Sequence, residues 1–380
     1  MRICYVSSEL KIHDYRFLSA LIARQYDVHL ISYVAPKRYP TIPRLIRDIK
    51  GLNIIHRQFE FTTGYTSFAP FVVLDFRRLL KSLKPDILHT GWVLRDGFLG
   101  ALSGFHPVLL MPYGSDILIE PERSMVRRRV VKYTITRADI IQCDCETVKR
   151  KIVDMTRFDD HRIVVFPWGI ELANFYPDPT KNLRIRQQLG WSNNKLLIMN
   201  RAFEPVYGTE YFIEALPEIV SQEPTTRVIL IGSGSLERRL QSLVADRHLD
   251  SYVRFIGSIS SEEMPAYLNA ADVYVSTSLS DGTSSSLLEA MACSLPVVVT
   301  EIAANKEWVI DGHNGFLVRL RNPNDIAAKV ITLLKDSNLR TLMGNNNVAI
   351  ARDKADWEKN VDKLEAMYKS LFLSRAVIKY

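Results

Sequence analysis

Short apolar runs alternate with stretches of helical periodicity along almost the whole chain, and this alternation limits its possible folds more than any other feature. The first apolar run covers residues 3–6, a stretch with apolar residues on one helical face follows, and the next run covers residues 28–31. Parallel strands need long crossover connections, usually helices, which cover both faces of the sheet. The pattern therefore predicts an α/β protein with doubly wound parallel sheets.

Two such series follow one another in the 380 residues. Pro177 and Pro179 interrupt the pattern between them, and proline continues neither a strand ladder nor a helix. A linker is therefore expected there, with five or six strands before it and a helical C-terminus after residue 322. The strands are predicted at residues 3–6, 28–31, 86–89, 107–111, 139–142 and 163–166, and then at 195–199, 227–231, 253–256, 272–275 and 295–299.

The composition is that of an ordinary globular protein, with 47% hydrophobic and 24% charged residues, which argues against a disordered chain. The formal charge of +7 is spread along the sequence without a recognition motif, so nucleic acid is not an expected partner. We see neither a signal-peptide core nor a run of ~20 apolar residues, and we expect a cytoplasmic protein. Its four cysteines are then reduced thiols.

Residues 276–292 contain the strongest candidate for a ligand site. A predicted strand ends, a small polar turn follows, and a helix begins at about Ser285 or Ser286. Ligands of open parallel sheets bind at the carboxyl ends of strands, and a helix N-terminus there suits an anion such as a diphosphate. Asp281 and Glu289 flank this point with carboxylates, which accept hydrogen bonds from sugar hydroxyls. Ser286 and Glu289 also match a capping box, so a purely structural glutamate is the alternative.

This segment resembles the motif of retaining family 4 glycosyltransferases of the GT-B fold, in which Glu-x7-Glu leads into a helix and a strand. Here the motif reads Asp281-x7-Glu289, and the likeness extends over residues 254–259 and 307–318. The resemblance implies two Rossmann-like domains that face a central cleft. These are an N-terminal acceptor-side domain over residues 1–178, a C-terminal nucleotide-sugar-binding domain over 179–356, and a helix over 357–380 that crosses back to the first domain.

The resemblance also implies roles for individual residues. Glu289 is expected to hold the ribose hydroxyls, Asp281 the hydroxyls of the donor sugar, and Arg201 the diphosphate. Three short segments complete the donor-binding prediction: Gly282, Thr283, Ser284 and Ser285 at the helix end; Gly232 and Gly234; and Gly257, Ser258 and Ile259 beside the base. A tight turn explains the glycines at 232 and 234 equally well.

The chain departs from the family pattern at three places. The lysine expected after Arg201 is Tyr207, the His-Gly-x-Asp turn is Tyr-Gly-Ser-Asp at residues 113–116, and residues 7–9 read Ser-Ser-Glu in place of a glycine-rich loop. We therefore expect Arg201 and the helix end to handle the charge of the leaving group.

His89 and Asp116 are the candidate catalytic residues of the first domain, beside Arg201 and Asp281 of the second. His89 ends a predicted strand, where it either reaches a ligand or is a hydrogen-bonded structural histidine. Asp116 is either the N-cap of a helix or a carboxylate of the ligand site.

These features predict a retaining, metal-independent glycosyltransferase. It would move a sugar from a nucleotide-diphosphate sugar to a hydroxyl of a glycan or a lipid-linked acceptor, in glycolipid, polysaccharide or glycan assembly. No cofactor is expected, and because no Asp-x-Asp motif occurs in the sequence, no metal is predicted. The alternatives are a non-catalytic GT-B protein that binds a glycan or a partner protein, and a GT-B nucleotide-sugar epimerase.

Two basic segments, at residues 77–84 and 123–132, carry apolar residues among their arginines and lysines. Basic amphipathic surfaces attract anionic lipid headgroups, so one interpretation is peripheral attachment at the inner membrane face. The other interpretation is two ordinary solvated helix faces.

Overall fold

A computed structural model of the chain describes residues 1–34, 42–58 and 70–378. The chain forms two compact units, Met1–Phe166 with Lys359–Tyr380, and Pro167–Glu358. The boundary therefore lies after Phe166 and not at residue 178. The reason is that Ile170 is buried in the core of the second unit, and its N–H donates to the carbonyl of Ala355 over 2.7 Å.

The first unit contains a seven-stranded parallel sheet in the order β3-β2-β1-β4-β5-β6-β7. The sequence predicted every strand except β3, which lies at the sheet edge and contains only two apolar residues, Ile54 and Ile55. The strands are β1 Arg2–Val6, β2 Asp27–Val34, β3 Asn53–Gln58, β4 Ile87–Gly91, β5 Val108–Met111, β6 Ile140–Cys143 and β7 Ile163–Val165.

The second unit contains a six-stranded parallel sheet in the order β10-β9-β8-β11-β12-β13. Here too the strand that the sequence pattern missed, β13, is an edge strand. The strands are β8 Lys195–Asn200, β9 Thr226–Ile231, β10 Val253–Gly257, β11 Val273–Ser276, β12 Val297–Thr300 and β13 Gly315–Val318.

Helices connect the strands and complete both units. A π-helical turn at Val93–Gly97 precedes α4. The helices of the first unit are α1 Ile12–Ala23, α2 Arg44–Arg47, α3 Pro70–Leu83, α4 Phe98–Ser103, α5 Ser115–Leu118, α6 Glu120–Arg123, α7 Met125–Thr136 and α8 Glu146–Thr156. Those that follow are α9 Pro179–Leu189, α10 Thr209–Gln222, α11 Glu237–Asp246, α12 Met264–Ala270, α13 Ser285–Ala292, α14 Pro323–Lys335, α15 Ser337–Lys354 and α16 Trp357–Ile378, which continues into the first unit from Lys359 onward.

The core of the second unit shows why its strands read as continuous apolar runs. Leu197 and Met199 of β8 belong to the core on one face of the sheet, and Leu196 and Ile198 to the core on the other. Successive side chains of a strand point to opposite faces, so a sheet covered by helices on both faces requires apolar residues at every position. The predicted α/β class with two parallel sheets is confirmed. Among the described residues, no helix is long and apolar enough to cross a bilayer.

Candidate functional site

Arg201 lies directly after β8, at the carboxyl end of the second sheet, and its guanidinium contacts the segment that precedes α13. Nη1 donates to the hydroxyls of Ser284 and Ser286 over 2.5 and 3.0 Å, and Nη2 donates to the carboxylate of Asp281. The Arg201 side chain is only 9% exposed. The fold thus brings together an arginine and a loop that are about eighty positions apart in sequence.

The electrostatics of this cluster favour an anion. Burial lowers the pKa of Arg201, but the carboxylate of Asp281 and the neighbouring tyrosines raise it by more than burial lowers it. The net pKa is therefore raised, and the guanidinium stays charged. The N-terminus of α13 adds a partial positive charge at the same place. Asp281 balances the charge of Arg201, so an anion that binds here meets the partial positive charge of the helix end and competes with Asp281 for the guanidinium.

The start of α13 shows how Ser284 and Glu289 are used. The helix begins at Ser285, as predicted, and Ser284 is its N-cap, whose hydroxyl accepts the N–H of Leu287 over 3.4 Å. The capping-box alternative for Glu289 is therefore wrong, because the third helical residue is Leu287. Glu289 instead accepts a hydrogen bond from the side-chain amide of Asn200, at the end of β8, over 3.5 Å.

Exposure separates the residues of this segment into two groups. Gly282, Ser284 and Ser286 are buried, so the hydroxyls of the two serines serve the arginine and the helix. Asp281, Thr283, Ser285 and Glu289 are partly exposed. The carboxylates and the polar groups between them are therefore the part of the segment that a ligand can reach.

The predicted glycine contacts divide between packing and an open surface. A Cβ on Gly232 would overlap the carbonyl oxygen of Arg201, and a Cβ on Gly234 would overlap that of Phe203. These two glycines let the loop after β9 pack against the loop that carries Arg201, so packing within the unit requires both of them. Gly257 has a φ of 78°, and a Cβ on it would meet nothing within 4 Å.

The two residues that follow Gly257 lie in different surroundings. The hydroxyl of Ser258 lies 2.9 Å from that of Ser233, in the loop after β9. Ile259 is partly buried and packs against the core. Of the three residues predicted beside the base, Gly257 therefore borders open space, Ser258 is tied to the neighbouring loop, and Ile259 supports the sheet.

Sequence reasoning missed the position of Tyr207. Its ring centre lies 4.0 Å from the guanidinium carbon of Arg201, so the residue that replaces the expected lysine covers one face of the arginine. The sequence shows an aromatic residue a few positions after an arginine, but only the turn between β8 and α10 brings the two side chains together.

His89 and Asp116 lie inside the first unit. His89 is 1% exposed, its Nδ1 lies 2.5 Å from the hydroxyl of Tyr368 in α16, and burial lowers its pKa to about 3. This geometry favours the structural alternative for His89. Asp116 is fully buried and lies within α5, whose N-cap is Gly114, so it is not a cap.

The carboxylate of Asp116 holds two loops together. It accepts the backbone N–H groups of Val93 and Tyr113, each over 2.9 Å. Burial raises the pKa of Asp116 to about 6, although these hydrogen bonds act in the opposite direction. Asp116 therefore shapes the carboxyl end of the first sheet from within, and both of its oxygens are occupied by the backbone.

A second polar cluster, unrecognised in the sequence, lies at the end of β1. Asp96 accepts hydrogen bonds from the hydroxyl and the N–H of Ser8, the latter over 3.2 Å. Arg95 lies 3.7 Å from the carboxylate of Glu9 and 3.5 Å from that of Asp96. The segment that stands in place of a glycine-rich loop is thus fixed by the turn after β4.

Comparison with known proteins identifies two matching family models. Residues 181–349 match the model of glycosyl transferases group 1, and residues 2–145 match a glycosyl transferase 4-like model. An uncharacterized glycosyltransferase of Methanocaldococcus jannaschii is 29% identical over 298 residues, which are 78% of this chain and 78% of that protein.

Two further similarities concern an enzyme and a solved structure. A GDP-mannose-dependent phosphatidylinositol monomannoside mannosyltransferase of Mycolicibacterium smegmatis is 29% identical over 198 residues, about half of each protein at 50% and 52%. The crystal structure of Anabaena HepE in complex with UDP-glucose has a TM-score of 0.80 and 20% identity, and covers 98% of this chain and 100% of that chain. At this level of identity the similarity shows a shared fold.

Proposed function

Because the chain belongs to the group 1 glycosyltransferases and has the GT-B fold, we propose that it transfers a sugar from a nucleotide-diphosphate sugar to a hydroxyl acceptor, with retention of configuration and without a metal ion. The observation that carries this proposal is the convergence of Arg201 on the N-terminus of α13. Both groups are positive, both are fixed by the fold, and they lie at the carboxyl end of the sheet, where parallel sheets bind ligands.

The leaving diphosphate gains negative charge as its bond to the anomeric carbon breaks. Hydrogen-bond donors that already point at this charge lower the activation barrier, because they need no rearrangement at the moment of reaction. Arg201 is held by the hydroxyls of Ser284 and Ser286 and by the Tyr207 ring, so its orientation is set in advance. Together with the amides at the start of α13, it would supply the positive charge that a divalent cation supplies elsewhere.

Asp281 and Glu289 would bind the hydroxyl groups of the donor. A diphosphate at Arg201 would share that arginine with Asp281, whose second oxygen could then accept a bond from the transferred sugar. Glu289 is oriented by Asn200 at the end of β8, and we assign it to the ribose hydroxyls. The donor class is supported by the HepE structure, which contains UDP-glucose.

Retention is proposed from the family resemblance of the Asp281-x7-Glu289 motif. In the proposed step the bond from the anomeric carbon to the diphosphate oxygen breaks, and the bond to the acceptor oxygen forms on the same face. The proton of the acceptor hydroxyl passes to the departing diphosphate oxygen. This step needs no nucleophile from the protein.

For the acceptor we propose a glycan or a lipid-linked glycan, handled at the cytoplasmic face of a membrane. The Mycolicibacterium relative is by its name an enzyme of phosphatidylinositol mannosides. The exposed face of α7 carries Met125 and Val126, which are 65% and 60% exposed, and the exposed cations Arg129 and Lys132. Apolar side chains beside cations suit an anionic bilayer surface.

A panel of UDP-, GDP- and ADP-sugars tests the proposed function. A donor at 100 times its dissociation constant stabilises a protein by about 2.7 kcal/mol, so the matching nucleotide sugar should raise the melting temperature and release nucleoside diphosphate. The same donor should leave the melting temperature of Arg201→Ala almost unchanged. A protein that neither binds nor cleaves any member of the panel would be the non-catalytic alternative.

A further inference from the structure

His13, the second residue of α1, is an imidazole held in place at the carboxyl end of the first sheet. Its Nε2 lies 3.5 Å from the carboxylate of Asp14. Asp14 is fully buried and itself fixed, because it accepts the hydroxyl of Tyr5 over 2.9 Å and the N–H of Lys11 over 2.7 Å. The side chain of His13 nevertheless remains 14% exposed.

Two other aromatic side chains lie beside His13. The ring of Tyr113, which follows β5, meets the His13 ring edge to face with centres 4.7 Å apart, and the ring of Trp92, which follows β4, meets Tyr113 with centres 6.0 Å apart. All three residues are partly exposed. Loops from three neighbouring strands therefore form one aromatic surface at the edge where open sheets bind ligands.

The backbone at Trp92 is strained. Its φ is 28°, a region that side chains other than glycine rarely adopt, and the π-helical turn Val93–Gly97 follows at once. Such strain costs free energy and is concentrated at functional sites, as are π-helical turns. Within the part of the chain that the structure describes, the indole N–H of Trp92 has no hydrogen-bond partner.

Charged side chains lie beside this aromatic surface. Glu9 is partly exposed and lies 2.7 Å from the ammonium of Lys11 and 3.7 Å from the guanidinium of Arg95. A carboxylate, cationic side chains and an imidazole can form hydrogen bonds with the hydroxyls of a neutral ring. The C–H groups of that ring can pack on the faces of the aromatic side chains.

We propose that His13 is a substrate-binding residue for the acceptor, which is a neutral hydroxylated ring such as a sugar residue or a cyclitol. This inference rests on the proposed function. It assigns the ring packing to Trp92 and Tyr113, and one acceptor hydroxyl to the imidazole of His13. In the proposed function the second unit binds the charged part of the donor, and we assign the hydroxyl-binding surface of the first unit to the other substrate.

The charges around His13 agree with a neutral imidazole. Burial lowers its pKa below 6.5, Asp14 and Glu9 act to raise it, and Lys11 and Arg16 act to lower it. The ring is therefore uncharged at neutral pH and can accept a hydrogen bond from a hydroxyl. In acid the imidazole is protonated and can no longer accept a hydrogen bond from a hydroxyl. Binding of the acceptor substrate should therefore weaken as the pH falls below 6.5, the ordinary pKa of histidine.

His29 provides a matched control. It lies in the same unit, its side chain is 13% exposed, and its Nε2 lies 3.1 Å from the carboxylate of Asp27. Asp27 begins β2, so His29 lies toward the amino end of the sheet, where open sheets do not bind ligands. Each of the two histidines thus lies beside a carboxylate and has a similar degree of exposure, but they lie at different ends of the sheet.

The test is the proton NMR of the histidine rings in the full-length protein, with octyl β-glucoside below its micellar concentration and with myo-inositol as probes. The resonances are assigned with His13→Gln and His29→Gln. We expect at least one probe to shift the His13 signals and neither to shift those of His29. If both probes leave His13 unmoved, or move both histidines alike, the inference is wrong.

A kinetic test separates contact from packing. His13→Phe retains an aromatic ring against Tyr113 but has no ring nitrogen. We expect both His13→Phe and His13→Gln to raise the KM for the acceptor probe at least tenfold. In both variants the KM should no longer rise as the pH falls. Stabilisation by the donor should stay at the wild-type value in both variants. An active His13→Phe would show that the residue only packs and would overturn this inference. A wild-type protein that binds no donor would instead refute the proposed function on which the inference rests.

Discussion

The guanidinium of Arg201 lies 4.0 Å above the ring of Tyr207, so the residue that stands in place of a second cation contacts the first one. An aromatic face attracts a cation through its quadrupole by about 0.5–2 kcal/mol, depending on burial. The substitution therefore removes a charge from the site but adds an element that fixes the orientation of the remaining charge.

Arg201 and Tyr207 should respond differently to substitution. Arg201→Ala removes the only charged side-chain donor that we assign to the leaving diphosphate, and loss of one such donor lowers turnover by about 100-fold or more. Tyr207→Phe keeps the ring over the arginine and should remain close to wild type. Turnover at saturating nucleotide sugar measures both. Similar small effects of the two substitutions would contradict the role given to Arg201.

Asp281→Asn should separate product binding from turnover. Asp281 competes with a diphosphate for Arg201, and a like charge in water near 4 Å costs ~1 kcal/mol, so the nucleoside diphosphate should bind about fivefold more tightly to the variant. Transfer should slow, because the amide is a weaker acceptor for the sugar hydroxyls. Calorimetry and initial rates give the two quantities. Glu301→Gln, which breaks an exposed ion pair with Lys306 in the same unit, should change neither.

Ser284→Ala should cost both stability and donor affinity. The hydroxyl caps α13 and holds Arg201, and loss of an N-cap costs about 1 kcal/mol. Asp336 caps α15 of the same unit over 2.9 Å, so Asp336→Ala should lose similar stability without any change in donor affinity. Chemical unfolding and donor titration compare the pair. Equal donor affinities in the two variants would remove Ser284 from the site.

His89 should make the first unit sensitive to acid. Its pKa is about 3 in the folded protein, against 6.5 as its ordinary value, so between these values the unfolded chain binds the additional proton. Stability should therefore rise with pH across this window and fall as the pH drops below 6.5, by about 2 kcal/mol between pH 6.5 and pH 5. Urea unfolding at several pH values measures it.

The control for this prediction is a histidine without burial. His89→Gln should remove the acid-dependent part of the stability, while His161→Gln, at a side chain that is 94% exposed in the same unit, should keep it. If the free energy of unfolding of the wild type depended on pH as little as that of His89→Gln, the pKa of His89 would not be lowered by its burial.

The exposed face of α7 should contribute to membrane binding. Replacement of Arg129 and Lys132 by glutamine removes two cations, each worth ~1 kcal/mol near an anionic surface, so partitioning onto phosphatidylglycerol vesicles should fall about 30-fold. Arg238 and Arg239 are exposed on α11, and their double replacement removes the same charge. If both double variants partition alike, net charge and not this face is responsible.

The sequence predicted what depends on local pattern. The alternation of apolar runs and helical stretches fixed the α/β class, and the start of α13 was placed correctly because a polar turn before an apolar helix is visible in one short segment. The strands β3 and β13 were missed. β3 has only two apolar residues, Ile54 and Ile55, and β13 is a run of only four residues that begins with a glycine.

Contacts between distant segments account for the rest. The packing of Tyr207 on Arg201, the link from Asn200 to Glu289 and the occupation of both Asp116 oxygens all arise where loops of different strands meet. The spacing of residues along the chain contains no information about those distances. For the same reason the sequence left two alternatives for His89 that burial and Tyr368 resolve in favour of structure.

The division of the chain into units bears on its biosynthesis. The second unit is one continuous stretch, Pro167–Glu358, whereas the first combines Met1–Phe166 with Lys359–Tyr380. A ribosome therefore completes the second unit before it has made the C-terminal segment of the first unit. The hydroxyl of Tyr368 that contacts the buried His89 is made only after the whole second unit, so a nascent chain that stops just after residue 358 would contain a finished second unit and an unfinished first one.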